Sequence, residues 1–331
     1  MTRAVTAAVA VAALALIVPG CGGDAEHVTT REHTRRAARG ITTAVRRAPL
    51  TNLPDRHGAA RRRSALAVKI ENTPEARPQS GLDVADVVYE EVVEGGITRF
   101  WAVFDSAAPD RVGPIRSVRR MDADIVSPLG GVVAYSGGTE PNVALIRQTP
   151  VIWVDGSNAA DAFFRERSRD APHNLYARPS RLWRRGGRPV PPASLFAFLP
   201  PRQAFAGEPV GRVTVGFRPG YEATYSYDHA TETWKRSHEF VAFEADSGAQ
   251  IAPVNVIVQF VRYDGAGDGQ LIGTGDAWVL SGGRMVKGRW SKSTASDPTR
   301  FSDVAGAPIR LRPGRTWVEL LPIGSRVTVN P

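Results

Sequence analysis

The 331-residue sequence has one cysteine, Cys21, so intrachain disulfides are excluded and any core must hold itself together by packing. Beyond the first twenty residues no apolar run approaches the roughly 20 residues that a membrane-crossing helix needs. Ser80, Ser117 and Ser136 lack a Gly-x-Ser-x-Gly setting, so no convincing nucleophile stands out. The glycine-bearing "SGGTEPN" lacks the Gly-Lys-Ser/Thr ending of a Walker loop. There is no cysteine set and no pair of histidines at ligand spacing, so the residues call for no metal and no cofactor. No internal repeat is visible.

The sequence does carry an address. Arg3 precedes an apolar run over residues 7–18, which is too short to span a bilayer and suits a secretory segment. The run ends in "VPGCGG", with the small Gly20 directly before Cys21. This predicts a lipoprotein signal peptide over residues 1–20 and a lipid on Cys21. Acyl chains contributing about 0.8 kcal/mol per buried methylene would then hold the chain at the outer, extracytoplasmic face of the membrane.

The formal net charge of +9 is unevenly spread. Residues 22–63 hold ten arginines against four acids, whereas residues 64–331 carry only +2. The basic excess thus belongs to a stretch broken by Pro and Gly, and residues 21–63 read as the lipidated cysteine plus a mostly disordered tether. A near-neutral remainder argues against nucleic acid, and the tether lacks the aromatic interleaving of a single-strand groove.

Residues 65–207 read as an N-terminal mixed α/β domain. "ALAVKIEN" alternates as a strand. In "DVVYEEVVEGGITRFWAVFD", two β-rich runs flank Gly95-Gly96 and predict a hairpin with a two-residue turn. That register places Val92 opposite Arg99 and Glu90 opposite Trp101, with Glu90, Glu94, Arg99 and Trp101 on one face. "GPIRSVRRMDADIV" predicts a helix with Val118, Met121 and Ile125 on its apolar stripe and Arg116, Arg119 and Arg120 opposite. Cations near a helix start are disfavoured by its dipole. Three readings therefore stay open: a bound anion, a solvated face, or internal pairing with Asp122, Asp124, Glu90 or Glu94. "GGVVAYSGGTEPNVALIRQTPVIWVDG" predicts a strand, a helix and a parallel return strand. "RDAPHNLYARPS" places His173 among Asp170, Asn174 and Tyr176 as an acid–base candidate.

Residues 208–325 change pattern. Short alternating runs and a second hairpin signal at Gly282-Gly283 predict a mostly-β C-terminal domain, a small barrel or sandwich. Trp234, Trp278, Trp290 and Trp317 read as its core.

The runs "VKIENTPEARPQSGLDVADVVYEEVVEGGITRFWAVF", "VGPIRSVRRMD", "APHNLY", "GTGDAWVLSGGRMVKGRWSK" and "IRLRPGRTWVELLP" resemble, in this order, the YerB-like lipoproteins, a bacterial domain family of unknown function. The resemblance covers nearly all of the chain after the tether and implies a two-domain envelope lipoprotein with no established reaction. Its motif positions are Glu71, Asn72, Arg77, Pro78, Glu94, Gly95, Gly96, Arg99, Arg116, Arg119, His173, Asn174 and Tyr176.

Together these readings predict that the N-terminal domain binds an anionic envelope ligand: wall glycan, teichoic-type phosphate or carboxylated peptide. Arg99, Arg116 and Arg119 would hold the anion, with Glu71, Asn72, Arg77, Asn174 and Tyr176 around them. Docking of a protein partner is the rival. The alternative is an envelope hydrolase or transferase using Glu94 or Glu90 with His173 as acid/base on a wall glycan or phosphate-containing polymer. Whether the chain is an enzyme stays open at this stage.

Overall fold

The computed structural model describes residues 45–264 and 267–331. The predicted signal segment, Cys21 and the arginine-rich stretch up to residue 44 lie outside the described residues. The first half of the chain supplies β1 (Leu66–Glu71), β2 (Val87–Val92), β3 (Thr98–Phe104), α1 (Asp122–Val126), β4 (Val132–Ala134), α2 (Glu140–Arg147), β5 (Ile152–Val154), β6 (Phe163–Arg165), β7 (Leu175–Ala177) and α3 (Pro179–Trp183). The second half contributes β8 (Glu208–Pro209), β9 (Arg212–Arg218), β10 (Tyr221–Asp228), β11 (Thr233–His238), β12 (Val241–Ala242), β13 (Asn255–Tyr263), β14 (Gly269–Gln270), β15 (Gly273–Ser281), β16 (Arg284–Lys292), β17 (Arg300–Asp303), β18 (Thr316–Pro322) and β19 (Arg326–Asn330). A mixed α/β first half and a β-rich second half match the sequence reading.

Twelve strands share one sheet in the order β17-β16-β15-β13-β18-β2-β3-β1-β4-β5, with β14 added to β13 and β8 to β16. The joint is β18. It lies parallel to β2, with Thr316 opposite Val87, and parallel to β13, with Thr316 opposite Asn255. Strands from residues 65–207 and from 208–325 therefore form one continuous sheet.

Both faces of the sheet's centre are covered, and β3 is buried at every position. On one face Val68, Ile70, Phe100 and Trp317 pack with Val213, Tyr225 and Trp234 of a second sheet, ordered β12-β11-β10-β9-β19. On the other, Ala67, Trp101 and Val103 cluster with Ile125 of α1 and with Val143 and Ile146 of α2. The β4–α2–β5 unit is parallel as predicted, with Pro141 in the first turn of α2. Gly282-Gly283 makes the predicted two-residue turn, with Ser281 opposite Arg284. Trp234, Trp290 and Trp317 are buried, and Trp278 is partly so.

Three expectations need correction. The β2–β3 register is one residue off: Glu90 faces Phe100, Glu91 faces Arg99 and Val92 faces Thr98. Gly95 and Gly96 both have left-handed φ, 70° and 68°, and the Val93 amide closes on the Ile97 carbonyl at 2.8 Å around a three-residue loop. A one-residue slip exchanges the faces, so Glu90 leaves Arg99 and Glu91 joins it.

The helix predicted from residue 113 begins only at Asp122. Residues 112–118 spend their amides on neighbouring strands and the loop after β4: Ile115 donates to the Leu175 carbonyl at 2.6 Å, Arg116 to Lys69 at 2.9 Å and Val118 to Gly137 at 2.9 Å. The three arginines are therefore not on a helix, and the dipole argument lapses.

Residues 45–63, read as tether, are folded onto the body. Leu50 and Ala60 are fully buried, and Gly314 donates to the Thr51 carbonyl at 2.8 Å. The arginine-dominated composition hid the few apolar residues that anchor this stretch.

Candidate functional site

β1 and β4 pair only from Leu66 opposite Val132 to Val68 opposite Ala134. Beyond that, residues 112–118 enter between them. Glu71 donates its amide to the Pro114 carbonyl at 2.9 Å, and Ser136 donates to the Arg116 carbonyl at 3.0 Å on the other side. Gly113 permits this path. A Cβ there would lie 2.8 Å from Tyr176 Cδ1 and 2.9 Å from the Leu175 carbonyl oxygen. Arg116 and Arg119 are thereby fixed at the carboxyl ends of two parallel strands, where α/β sheets bind ligands.

The corrected register puts Glu71, Arg99 and Glu91 in one row and Lys69 opposite Trp101, all on the same face. Arg99 is only 8% exposed, and its Nη1 donates to the Ser117 carbonyl at 2.8 Å. Arg119 Nη1 reaches that same carbonyl at 3.5 Å and the Val118 carbonyl at 2.8 Å. Two guanidiniums thus meet at one backbone oxygen. Arg116 Nη2 is 2.8 Å from Glu71 Oε1, and Arg119 Nη2 pairs with the exposed Glu94. The Nε atoms of Arg99, Arg116 and Arg119 are all buried without a hydrogen-bond partner. Burial, with Arg119 and Arg116 alongside, holds the Arg99 pKa below the usual arginine range. Partial burial pushes Glu94 up, but its hydrogen bond from Arg119, a backbone hydrogen bond and the Arg119 and Arg99 charges together outweigh this and hold the carboxyl below its ordinary range.

Glu71 joins His173 to the cluster. It is 1% exposed, and its Oε1 lies 3.0 Å from His173 Nδ1 and accepts from Thr73 Oγ1 at 3.1 Å. Its Oε2 is buried without a partner. A buried carboxylate against one imidazole nitrogen fixes the ring, as in acid–base sites.

The remaining predicted residues lie apart from the arginines. Glu90, on the opposite face and 2% exposed, accepts from Arg236 Nη2 at 2.8 Å and Thr98 Oγ1 at 2.7 Å. Asn72 bridges Glu90 and Thr98 to Arg77, whose guanidinium lies over the Tyr221 and Phe243 rings. Asn174 braces the loop before it, accepting from Arg165 at 2.6 Å and donating to the Arg169 carbonyl at 3.0 Å. Tyr176 packs its ring against Gly113. A neighbouring 250 Å³ cleft is lined by Arg120, Asp124 and Asp268, not by the three clustered arginines. Among the described residues no group of His, Cys, Asp and Glu could hold a metal ion.

Sequence reasoning missed Lys69. Fully buried, it pairs with Glu91 and, at 2.8 Å, with Asp122 Oδ1, which also accepts from Trp101 Nε1 at 2.7 Å. Asp122 Oδ2 takes the Arg119 amide at 2.6 Å, so this buried group positions the arginine. The available signal was a lysine inside the apolar strand "LAVKIE".

Comparison with known proteins adds kinship to this geometry. Residues 50–188 match the N-terminal domain, and residues 213–318 the C-terminal domain, of the protein of unknown function DUF3048. The chain is 27% identical over 290 residues to YerB of Bacillus subtilis (strain 168), covering 83% of this chain and 86% of that one. The name of that relative carries a provisional lipoprotein designation. The crystal structure of the YerB protein from Bacillus subtilis matches with a TM-score of 0.75 and 24% identity over 86% of this chain and 99% of the other, which shows a shared fold. Two consecutive domain matches in order, and one fold across both, place this chain in the YerB-like DUF3048 family.

Proposed function

We propose that the chain is a lipoprotein, anchored through Cys21 at the outer face of the membrane, that binds a phosphate- or carboxylate-bearing envelope ligand through Arg99, Arg116 and Arg119. The anchor reading is supported by "VPGCGG" and by the lipoprotein designation of the relative. The ligand reading is carried by one observation. Arg99 is 8% exposed and makes no ion pair among the described residues, and the more distant Glu91 and Glu94 offset its burial only in part, since its pKa stays below the usual arginine range. An unpaired buried cation costs several kcal/mol, and an anion accepting from it would offset that cost. The three partnerless Nε–H groups point the same way, each costing about 1–3 kcal/mol while unmet.

The test is calorimetric titration of the full chain with glycerol-phosphate oligomers and with carboxylated wall peptides. Arg116→Gln/Arg119→Gln is expected to weaken binding about tenfold or more, since hydrogen bonds to charged groups contribute about 1.5–3 kcal/mol each. Equal affinity in both proteins would assign the binding to the arginine-rich N-terminal stretch and overturn the proposal.

The Glu71–His173 contact favours a second reading, in which His173 acts as acid/base on the bound polymer. Glu90 is locked to Arg236 on the far face and has no part in it. Release of glycerol phosphate from the oligomers in the same mixtures, abolished by His173→Gln with binding intact, would establish that reading.

A further inference from the structure

The two ends of the central sheet differ in chemistry. Arg99 lies in the row at the carboxyl end of β1, opposite Glu71. The other end, about 17 Å away along five residues of strand, carries Leu66 opposite Phe104, Val87 opposite Thr316 and Asn255 opposite Ser281. At that end a cleft of 610 Å³ is lined by Arg47, Arg202, Arg284 and Arg312, with Leu53 and Glu232 among its other walls. Four guanidiniums face one carboxylate, which Arg312 already pairs. Among the described residues the Arg284 guanidinium donates to the Gly207 carbonyl at 2.8 Å, and Arg47 to the Asn52 carbonyl at 2.8 Å. Leu53 is 39% exposed at the rim. The described chain starts at residue 45, two residues before Arg47 of this cleft.

We infer that this cleft docks onto the anionic phospholipid headgroups of the membrane that anchors the chain, turning the Arg99 end outward. Arg47 of the cleft lies close to the start of the described chain, and the cleft's charge is complementary to an anionic lipid surface. Each arginine held near an anionic leaflet strengthens association about fivefold at moderate salt. The inference rests on the anchor reading above, but its test does not use the anchor.

The full chain carrying Cys21→Ser is mixed with phosphatidylglycerol-containing and with phosphatidylcholine vesicles. Arg202→Glu/Arg284→Glu leaves the arginine-rich N-terminal stretch unchanged and is expected to weaken binding to the anionic vesicles about tenfold or more, a difference that high salt removes. In the same background, a polarity-sensitive dye on Gln203→Cys is expected to shift on anionic vesicles, while one on Thr139→Cys, at the Arg99 end, stays unchanged. Equal vesicle affinity of the charge-reversed chain, a dye response at both ends, or full competition by soluble glycerol phosphate at matched phosphate concentration would each overturn the inference. Absence of lipid on Cys21, read from the mass of the native protein, is a separate result that strikes the anchor and not the cleft.

Discussion

Lys69→Met is expected to destabilise the chain by about 3–5 kcal/mol in urea unfolding, the usual cost of removing one partner from a buried ion pair. Lys69, Glu91 and Asp122 are all fully buried. Burial, and the Asp122 carboxylate beside it, push Glu91 well above the usual carboxylate range, so it holds its proton. Burial also acts to raise Asp122, but Lys69 and the hydrogen bonds around it prevail and hold it low, so it is the ionised partner. Methionine fills a similar volume but leaves the Asp122 carboxylate without a cation. Adding Asp122→Asn removes that orphaned charge and is expected to restore part of the loss. An equal or greater loss in the double variant would mean that the charge pairing was not the source. The consequence reaches the site, because Asp122 holds the Arg119 amide.

The second large effect depends on pH. Asp105 is fully buried, and neither carboxylate oxygen has a hydrogen-bond partner. Burial first, and then the neighbouring Asp86, push it up to about 8. Its folded pKa lies above the unfolded value of about 4, so the folded state keeps a proton that the unfolded state releases. Stability is therefore lost as pH rises from about 4 to about 8, on the order of 5 kcal/mol in total. Burial raises Asp86 too, with the same sign. Lys292, lowered to about 8 chiefly by burial, acts only above this window, where deprotonation returns some stability. Glu91, which keeps its proton in the folded state, adds to the loss, and His238, lowered to about 4 chiefly by burial, opposes it below about pH 6.5; Asp105→Asn should make the slope between urea midpoints at pH 6.5 and pH 8 measurably shallower. A slope unchanged in the variant would place the proton elsewhere.

Local patterns in the sequence translated well into structure. Pro141 followed by Val143 and Ile146, between two short apolar runs, marked β4–α2–β5, and Gly282-Gly283 marked the β15–β16 turn. The failures have physical causes. Val118, Met121 and Ile125 fit a helical stripe, but residues 112–118 meet strand edges on both sides, and tertiary hydrogen bonds overrode the period. Gly95-Gly96 announced a hairpin, but the number of residues in its loop is decided by geometry, and one residue reverses every face. Because β3 is buried on both faces, alternation offered no check on register. The insertion of β18 between β2 and β13 joins residues more than two hundred positions apart and has no local signature.

For the site, the arginines were legible because Arg116 and Arg119 lie three residues apart and Arg99 sits on the preceding hairpin strand. Their shared carbonyl at Ser117, and the Glu71–His173 contact across about a hundred residues, came only with the fold. Lys69 escaped because burying a lysine is favourable only beside carboxylates that the sequence places far away.

The melting temperature of the full chain and of Arg99→Met, each with and without inorganic phosphate, tests the central claim most directly. If Arg99 is a buried cation awaiting an anion, Arg99→Met melts at or above the unaltered chain without phosphate. Phosphate then raises the unaltered chain by about 2–4 °C and leaves the variant unmoved. A variant that melts well below the unaltered chain without phosphate, with both shifting equally on its addition, would contradict the account.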